Sequence, residues 1–170
     1  MRVFTTTAVA MCFVAMSALS AAAEPLTSKD GKFQIDIPEG WHYEAISTTA
    51  RFHVENTTSV LEATYEAKVD FDRIDTLQAY AELTLKTIAK TSKLSNRQVT
   101  GPRRYSIGDH EVLEYKITGA RDSRKSVLIY TFIESPKYWN HFVLSTSPSE
   151  VDGLRADLDT WAMTMREKKK

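Results

Sequence analysis

Hydrophobic and polar residues alternate with a period of two in several segments of the chain, which is the pattern of β-strands with one buried face. In the clearest segment, 32–38, the side chains of Phe33, Ile35 and Ile37 share one face, and Pro38 ends the strand. The same reasoning predicts further strands at 51–55, 60–69, 97–107, 110–118, 126–134 and 138–145. The segment 126–134 is apolar on both faces, so we expect it to be covered on both sides.

Two other segments have a period of about 3.6 residues, which indicates amphipathic helices. In the first, an apolar stripe follows 77–89; Asp75 is the expected N-cap, and Gln78 completes a capping box. The second helix is expected to open at 147–150, a capping box with proline at the first helical position. Its stripe includes Trp161, which we expect to anchor the helix in the core.

The order of predicted elements is three strands, a helix, four strands and a helix. Short turns between the strands favour a mostly antiparallel sheet, and the doubly apolar strand requires a layer on each face. We therefore predict an α+β protein, an α/β/α sandwich with a mostly antiparallel sheet. A hairpin turn at Gly108 and Asp109 places Arg103 opposite Glu114, which predicts an ion pair between them, and 119–125 is expected to form a polar loop.

The N-terminus has the pattern of a secretory signal peptide, residues 1–23. Arg2 precedes a mostly apolar run at 8–19, and small residues follow before the predicted cleavage after Ala23. The run is too short to span a bilayer, which takes about 20 residues. Lipidation at Cys12 is the alternative, and the large residue before that cysteine disfavours it. We expect a periplasmic or secreted protein that does not span a membrane after cleavage.

Composition narrows the classes of function. The chain has 22 basic and 22 acidic residues, so it lacks the net positive charge typical of a protein that binds nucleic acid. Its one cysteine would be removed with the signal peptide, which excludes thiol chemistry and disulfides in the mature protein. No linker or repeat divides the remainder, so we expect a single domain at 24–165 and a short basic tail at 166–170.

Residues 33–41, Phe-Gln-Ile-Asp-Ile-Pro-Glu-Gly-Trp, resemble the opening of the PsbP-like superfamily, which includes PsbP, the Ran-binding Mog proteins and DcrB-like bacterial envelope proteins. The helix around Leu77, the hairpin at Gly108 leading to Tyr115 and the C-terminal helix follow in the same order. The resemblance implies a PsbP-like α+β domain that acts through binding. It carries no catalytic residue to transfer.

Motifs for catalysis or metal binding are weak. The segment 110–114 begins like a zinc-protease helix, but Glu114 stands where a second histidine is required, and the segment is strand-like. Asp70, Asp72 and Asp75 lack the glycine and distal glutamate of a calcium loop. The sequence contains no Gly-x-Ser-x-Gly elbow or phosphate-binding glycine loop. We expect no metal, no cofactor and no enzymatic activity.

The most distinctive chemical feature is a set of basic residues around the predicted hairpin. The candidate residues for binding an anion or a partner are Arg103, Arg104, Arg121, Arg124 and Lys125. About 26 Å of strand separates the first two from the last three, so only an extended acidic partner or an anionic surface could contact all five. The alternative is an ordinary charged edge that discourages aggregation.

Two functions remain open. The first is a non-enzymatic protein that binds an envelope or host-related partner, either a protein or an anionic envelope component. The second is a small-ligand binder or hydrolase with a pocket between the sheet and a helix.

Overall fold

The computed structural model describes residues 24–43, 52–91 and 93–168. The predicted signal peptide, residues 1–23, lies outside the described residues. In chain order the described elements are β1 (Glu24–Thr27), β2 (Phe33–Ile37), β3 (His42–Tyr43), β4 (Phe52–Glu55), β5 (Val60–Ala67), α1 (Leu77–Thr91), β6 (Ser95–Ile107), β7 (His110–Arg121), β8 (Arg124–Glu134), β9 (Tyr138–Thr146), α2 (Arg155–Thr164) and β10 (Arg166–Glu167). Neither helix is long and apolar enough to cross a membrane.

Seven of these strands form one large antiparallel sheet in the order β3-β4-β5-β9-β8-β7-β6. Helix α1 packs on one face against β7 and β8. Helix α2 covers the other face together with a small antiparallel sheet in the order β1-β2-β10. The predicted α+β class and antiparallel sheet are confirmed, and the layer that holds α2 also contains three strands.

Strand β8 is buried on both faces, as its two apolar sets predict. Val127, Ile129 and Ile133 belong to the core under α2 and the small sheet, and the alternate residues Leu128 and Phe132 belong to the core under α1. The predicted anchor of α2 is also confirmed, because Trp161 is fully buried. Its ring meets that of Trp41 edge-on, with 4.4 Å between the centroids.

Strand β2 was expected to belong to the same sheet as the other strands, but it forms the centre of the small sheet instead. Its neighbours are β1 and β10, and β10 consists of the first two residues of the predicted basic tail, Arg166 and Glu167. The alternation of β2 is the same in either sheet, because Phe33 and Ile35 face the shared core in both cases. The pattern therefore predicts a strand without specifying its partner.

Two predicted boundaries in the strands are wrong. The strand predicted at 60–69 ends at Ala67, because 68–70 form a short 3₁₀ turn, and Val69 is 84% exposed. The polar loop predicted at 119–125 is a hairpin turn of only two residues, Asp122 and Ser123. Polar residues can continue a strand at the end of a sheet, where both faces meet water, so polarity alone did not mark the loop.

The two helix starts also differ from the prediction. The side chain of Thr76, one residue later than expected, accepts the N-cap hydrogen bond from the Ala79 amide at 3.1 Å. Helix α2 begins at Arg155, after a series of turns, and no side chain caps it. A capping box specifies local hydrogen bonds only, and at 147–150 the serine hydroxyls bond to each other at 2.9 Å.

Candidate functional site

The hairpin that joins β7 and β8 projects basic residues at its tip. Asp122 and Ser123 have φ angles of 49° and 64°, which is the backbone of the tight turns that match the twist of a hairpin. Arg121 and Arg124 flank this turn as directly paired residues, and Lys125 pairs with Ala120. Side chains of directly paired residues share one face, so Arg121 and Arg124 lie side by side. Like charges in this position destabilise a hairpin, which makes the pair unusual as a purely structural feature.

A shallow cleft of about 810 Å³ lies beside this tip. Its other walls are the turn between β4 and β5 at 55–60 and the end of β9 at 145–147, and half of its lining residues are serine or threonine. Asn56 fixes one wall, because its Oδ1 accepts hydrogen bonds from the amides of Thr58 and Ser59 at 2.9 and 2.8 Å. The hydroxyls of Ser59 and Thr146 bond at 2.7 Å and join the two walls.

The charges in the cleft favour an anion. Among the described residues, no ion pair or hydrogen bond engages the side chains of Arg121, Arg124 or Lys125, and all three are exposed. The lining also includes the carboxylates of Glu55 and Asp122, so the local balance is one excess positive charge. The cleft therefore presents free cationic donors next to hydroxyl groups, a combination suited to phosphate or carboxylate oxygens.

The other two predicted basic residues do not join this cleft. Arg104 donates to Glu111 Oε1 at 2.6 Å and also to the side chain of Gln78 on α1. The guanidinium of Arg103 lies over the ring of Tyr105, 4.6 Å from its centroid. Arg104 pairs with Leu113, eight residues before Arg121, so about 26 Å of strand separates the two groups. The structure thus divides the predicted set into a free group at the tip and an engaged pair on β6.

The predicted register of the β6–β7 hairpin is confirmed, because Arg103 pairs with Glu114. The predicted ion pair between them is wrong. Glu114 is buried, and Arg155 of α2 binds it with two guanidinium nitrogens, one of them 2.9 Å from Oε1. Tyr105 adds a hydrogen bond of 3.2 Å. A guanidinium that donates two hydrogen bonds satisfies a buried carboxylate better than a cross-strand arginine with a single contact would. The rule that directly paired strand residues interact could not predict Arg155, because this residue belongs to a different element.

A polar network on the α1 face was missed by the sequence analysis. The Tyr80 hydroxyl donates to Glu66 Oε2 at 2.6 Å and lies 2.8 Å from Nδ1 of His141. A hydroxyl has a single proton, and the Tyr80 hydroxyl uses it in the hydrogen bond to Glu66. Nδ1 of His141 is therefore the donor in its hydrogen bond to the tyrosine oxygen. Burial lowers the pKa of His141 to about 4, and burial together with the nearby Glu66 raises the pKa of Tyr80.

This network has a structural role. At neutral pH the imidazole is uncharged and the phenol keeps its proton, and Tyr80 is fully buried on the side of α1 that packs against the sheet. In the part of the chain that the structure describes, no group of three or more His, Cys, Asp or Glu side chains is arranged to hold a metal ion.

Comparison with solved structures identifies the class of fold. The chain is similar to cyanobacterial PsbP (CyanoP) from Synechocystis sp. PCC 6803, with a TM-score of 0.61, 14% identity, and 89% of this chain and 96% of that one covered. It is also similar to LpqN, involved in cell envelope biogenesis of Mycobacterium tuberculosis, with a TM-score of 0.58, 11% identity, and coverage of 86% and 90%. The chain therefore has a PsbP-like fold.

A third similar structure is the Ran-binding protein Mog1p of Saccharomyces cerevisiae, with a TM-score of 0.57, 7% identity, and coverage of 85% of this chain and 94% of that one. No protein-family model matches the sequence, and no curated protein is significantly similar to it. At these identities the likeness defines the fold alone. The resemblance at 33–41 is thus confirmed as a resemblance of fold.

Proposed function

We propose that this protein is an exported, non-enzymatic binding protein whose cleft at the β7–β8 hairpin tip binds an anionic envelope component through phosphate groups. The observation that carries the proposal is the trio Arg121, Arg124 and Lys125, which are exposed and free of ion pairs among the described residues. The hydroxyl-rich walls of the cleft supply further hydrogen-bond donors beside these cations.

Phosphate is the chemistry that this arrangement suits best. Each guanidinium presents a planar set of N–H donors that can engage two phosphate oxygens at once, and an exposed lysine adds a compact charge. The repulsion between the paired Arg121 and Arg124 would be relieved when an anion lies between them. Binding thus recovers stability that the free hairpin lacks, and that gain would contribute to affinity.

Arg103 and Arg104 have a secondary part in this proposal. Both are exposed, but Arg104 is held by Glu111 and Gln78, and Arg103 is stacked on Tyr105. They would contact only a partner that extends about 26 Å along the sheet from the tip. A compact anion would depend on the three tip residues alone.

Export is supported by the leader pattern at 1–23, and a location in the envelope agrees with LpqN, a protein of similar fold that is involved in cell envelope biogenesis. N-terminal sequencing of the protein from the envelope fraction of its cell should give Glu24 as the first residue. Retention of residues 1–23 would contradict export by cleavage.

Binding can be measured by co-sedimentation with vesicles of phosphatidylglycerol and phosphatidylcholine, with pure phosphatidylcholine vesicles and soluble polyphosphate as separate arms. The test variant replaces Arg121, Arg124 and Lys125 with Ser. Each basic residue near an anionic surface contributes about 1 kcal/mol, so the triple variant should bind roughly a hundredfold more weakly. Binding should also weaken as salt rises from about 0.1 to about 1 M, where the screening length falls from about 10 to about 3 Å.

The matched control replaces three exposed basic residues outside the cleft, Arg73, Lys86 and Lys116, with Ser. It removes the same charge, so an effect of net charge alone would reduce binding equally in both variants and would contradict the proposal. A membrane surface as the source of phosphate predicts binding to the anionic vesicles. Binding to polyphosphate without vesicle binding points to a soluble phosphorylated component. Failure to bind either probe would overturn the proposal.

A further inference from the structure

The cleft beside the hairpin tip has different chemistry at its two ends. Arg121 and Arg124 stand at one end, on β7 and β8, and Glu55 stands at the other, at the end of β4. Strands β5 and β9 lie between β4 and β8 in the large sheet, so three inter-strand spacings, about 14 Å, separate the main chains that carry Glu55 and Arg124. A bare phosphate held by the two guanidinium groups is too small to contact Glu55 as well.

Polar side chains lie between the two ends. Successive strand pairings place Glu55 level with Ser145 and Leu128, and Arg124 lies four residues, about 13 Å, nearer the tip. Residues two apart on a strand share a face, so Ser126 lies between Leu128 and Arg124 on the face that carries Ser145. Among the described residues, neither serine hydroxyl makes a hydrogen bond. The path from Arg124 to Glu55 is therefore lined by free hydroxyl groups.

Glu55 is a group that phosphate binding at the hairpin tip leaves unexplained. It is half-buried, and within the part of the chain that the structure describes its carboxylate forms no ion pair and accepts no hydrogen bond, although His42 is its direct neighbour on β3. An ionised carboxylate accepts hydrogen bonds and donates none, so it repels a bare phosphate and needs donors from its ligand. A ligand that reaches both ends of the cleft must carry such donors away from its phosphate.

The lining also favours hydroxyl groups over other donors. Val60 is the only hydrocarbon side chain among the described residues of the cleft, so an acyl chain would gain little by entering it. A serine hydroxyl both donates and accepts a hydrogen bond, whereas an ammonium group only donates. Sugar hydroxyls, which do both, match the free serines as well as the carboxylate.

We propose that the ligand of this cleft is a phosphorylated sugar, an inference that rests on the phosphate site proposed above. Its phosphate lies between Arg121 and Arg124, its ring hydroxyls pair with Ser126 and Ser145, and a hydroxyl at the far end donates to Glu55. The cations supply the attraction for the phosphate, and Glu55 discriminates against a phosphate without a sugar. The same chemistry occurs in a soluble sugar phosphate and in the headgroup of a lipid.

The sugar can be tested by isothermal titration calorimetry of the purified protein with maltose 1-phosphate, inorganic phosphate and O-phosphoethanolamine. Maltose 1-phosphate should bind about tenfold more tightly than inorganic phosphate, because a hydrogen bond to a charged acceptor is stronger than one between neutral groups. Equal affinities would overturn this inference and leave the proposed phosphate site intact, whereas failure of all three to bind would overturn both. Tighter binding of O-phosphoethanolamine than of maltose 1-phosphate would overturn the sugar assignment.

Variants then test the far end of the cleft. Glu55→Ala should abolish the preference for maltose 1-phosphate without weakening the binding of inorganic phosphate. Glu39→Ala removes the same charge at an exposed position outside the cleft and should keep the preference. Thermal melts check that each variant is folded, and if Glu55→Ala is not, the wild-type comparison of the two phosphates still decides the outcome. A preference that survives in folded Glu55→Ala would contradict the contact with Glu55.

Vesicles distinguish the two sources of a phosphorylated sugar. Phosphatidylinositol and phosphatidylglycerol carry the same charge, but phosphatidylinositol has a ring of hydroxyl groups on its phosphate. Stronger co-sedimentation with phosphatidylinositol vesicles, lost in Glu55→Ala, would support a lipid headgroup as the ligand. Tight binding of maltose 1-phosphate without a preference between the two vesicles would support a soluble sugar phosphate.

Discussion

On the α1 face of the large sheet, Tyr80 shares its hydroxyl with Glu66 and His141, whereas on the α2 face Glu114 is held by Arg155 in an ion pair. The α1 face is closed by stacked rings, with the Tyr80 and Trp139 centroids 5.5 Å apart. The α2 face keeps a cavity between β9 and the C-terminal half of α2.

The two faces of one sheet are closed in different ways. On the α1 face the hydroxyl of Tyr80 links Glu66 to His141 within a layer of packed aromatic rings. The α2 face is assembled from parts distant in sequence, a helix and a small sheet, and their junction leaves space. A face closed by one helix is filled by its own side chains, whereas a face closed by separate elements keeps a cavity.

The largest effect is expected at the centre of the α2 face. Trp161→Ala removes a fully buried side chain beside Trp41 and should lower the free energy of unfolding by roughly 3–5 kcal/mol, measured by denaturant titration. Met163→Ala on the same helix is the control; Met163 is 59% exposed, and its loss should cost about 0.5 kcal/mol or less. A cost below about 1 kcal/mol for Trp161→Ala would mean that α2 is peripheral to the core.

The ion pair of the α2 face can be broken by Glu114→Gln. This change leaves Arg155 without its counter-charge, and we expect a loss of roughly 2–4 kcal/mol, because the carboxylate is buried and the guanidinium only partly so. Glu111→Gln is a matched control on the same strand, since the exposed pair of Glu111 with Arg104 should contribute about 1 kcal/mol or less. Similar losses in the two variants would contradict a special role for burial.

The α1 face should give stability a pH dependence. The pKa of His141 is about 4 in the folded protein and about 6.5 in an unfolded chain, so only the unfolded chain takes up a proton between these values. Stability is therefore complete above pH ~6.5 and falls as the pH drops toward 4. Between pH 7 and 4, the wild type should lose roughly 1–3 kcal/mol more than His141→Gln. Parallel pH profiles for the two proteins would show that the fold does not hold this histidine in its neutral form.

The smallest effect concerns the start of α1. Thr76→Ala removes the hydroxyl that accepts the Ala79 amide, and we expect a loss of about 1 kcal/mol in the free energy of unfolding. Ser147→Ala is the comparison for α2, because Ser147 is the N-cap of the capping box that the sequence suggests and the structure does not form. Its replacement should cost about 0.5 kcal/mol or less. A loss of about 1 kcal/mol or more for Ser147→Ala would restore the predicted helix start.

The local pattern of apolar and polar residues was sufficient to predict an element wherever neighbouring residues alone determine its structure. The period of the apolar positions predicted α1, the middle of α2 and the two-sided burial of β8, because burial of a face is recorded residue by residue. The turn at Gly108 and Asp109 fixed the register of β6 and β7, so the pairing of Arg103 with Glu114 followed from counting. Of the candidate site, the sequence supplied the basic residues and the alternative of a pocket between sheet and helix.

The choice of partner for each group depended on the packing of distant elements. Arg155 rather than Arg103 binds Glu114, β2 joins the small sheet, and a cavity remains between β9 and α2. Arg104 is engaged because the carboxylate of Glu111 lies within hydrogen-bond distance, whereas Arg121 and Arg124 at the hairpin tip have no such acceptor among the described residues. A strand's alternation determines the direction of a side chain, but its partner depends on elements more than forty residues away, whose positions are set by the packing of the whole core.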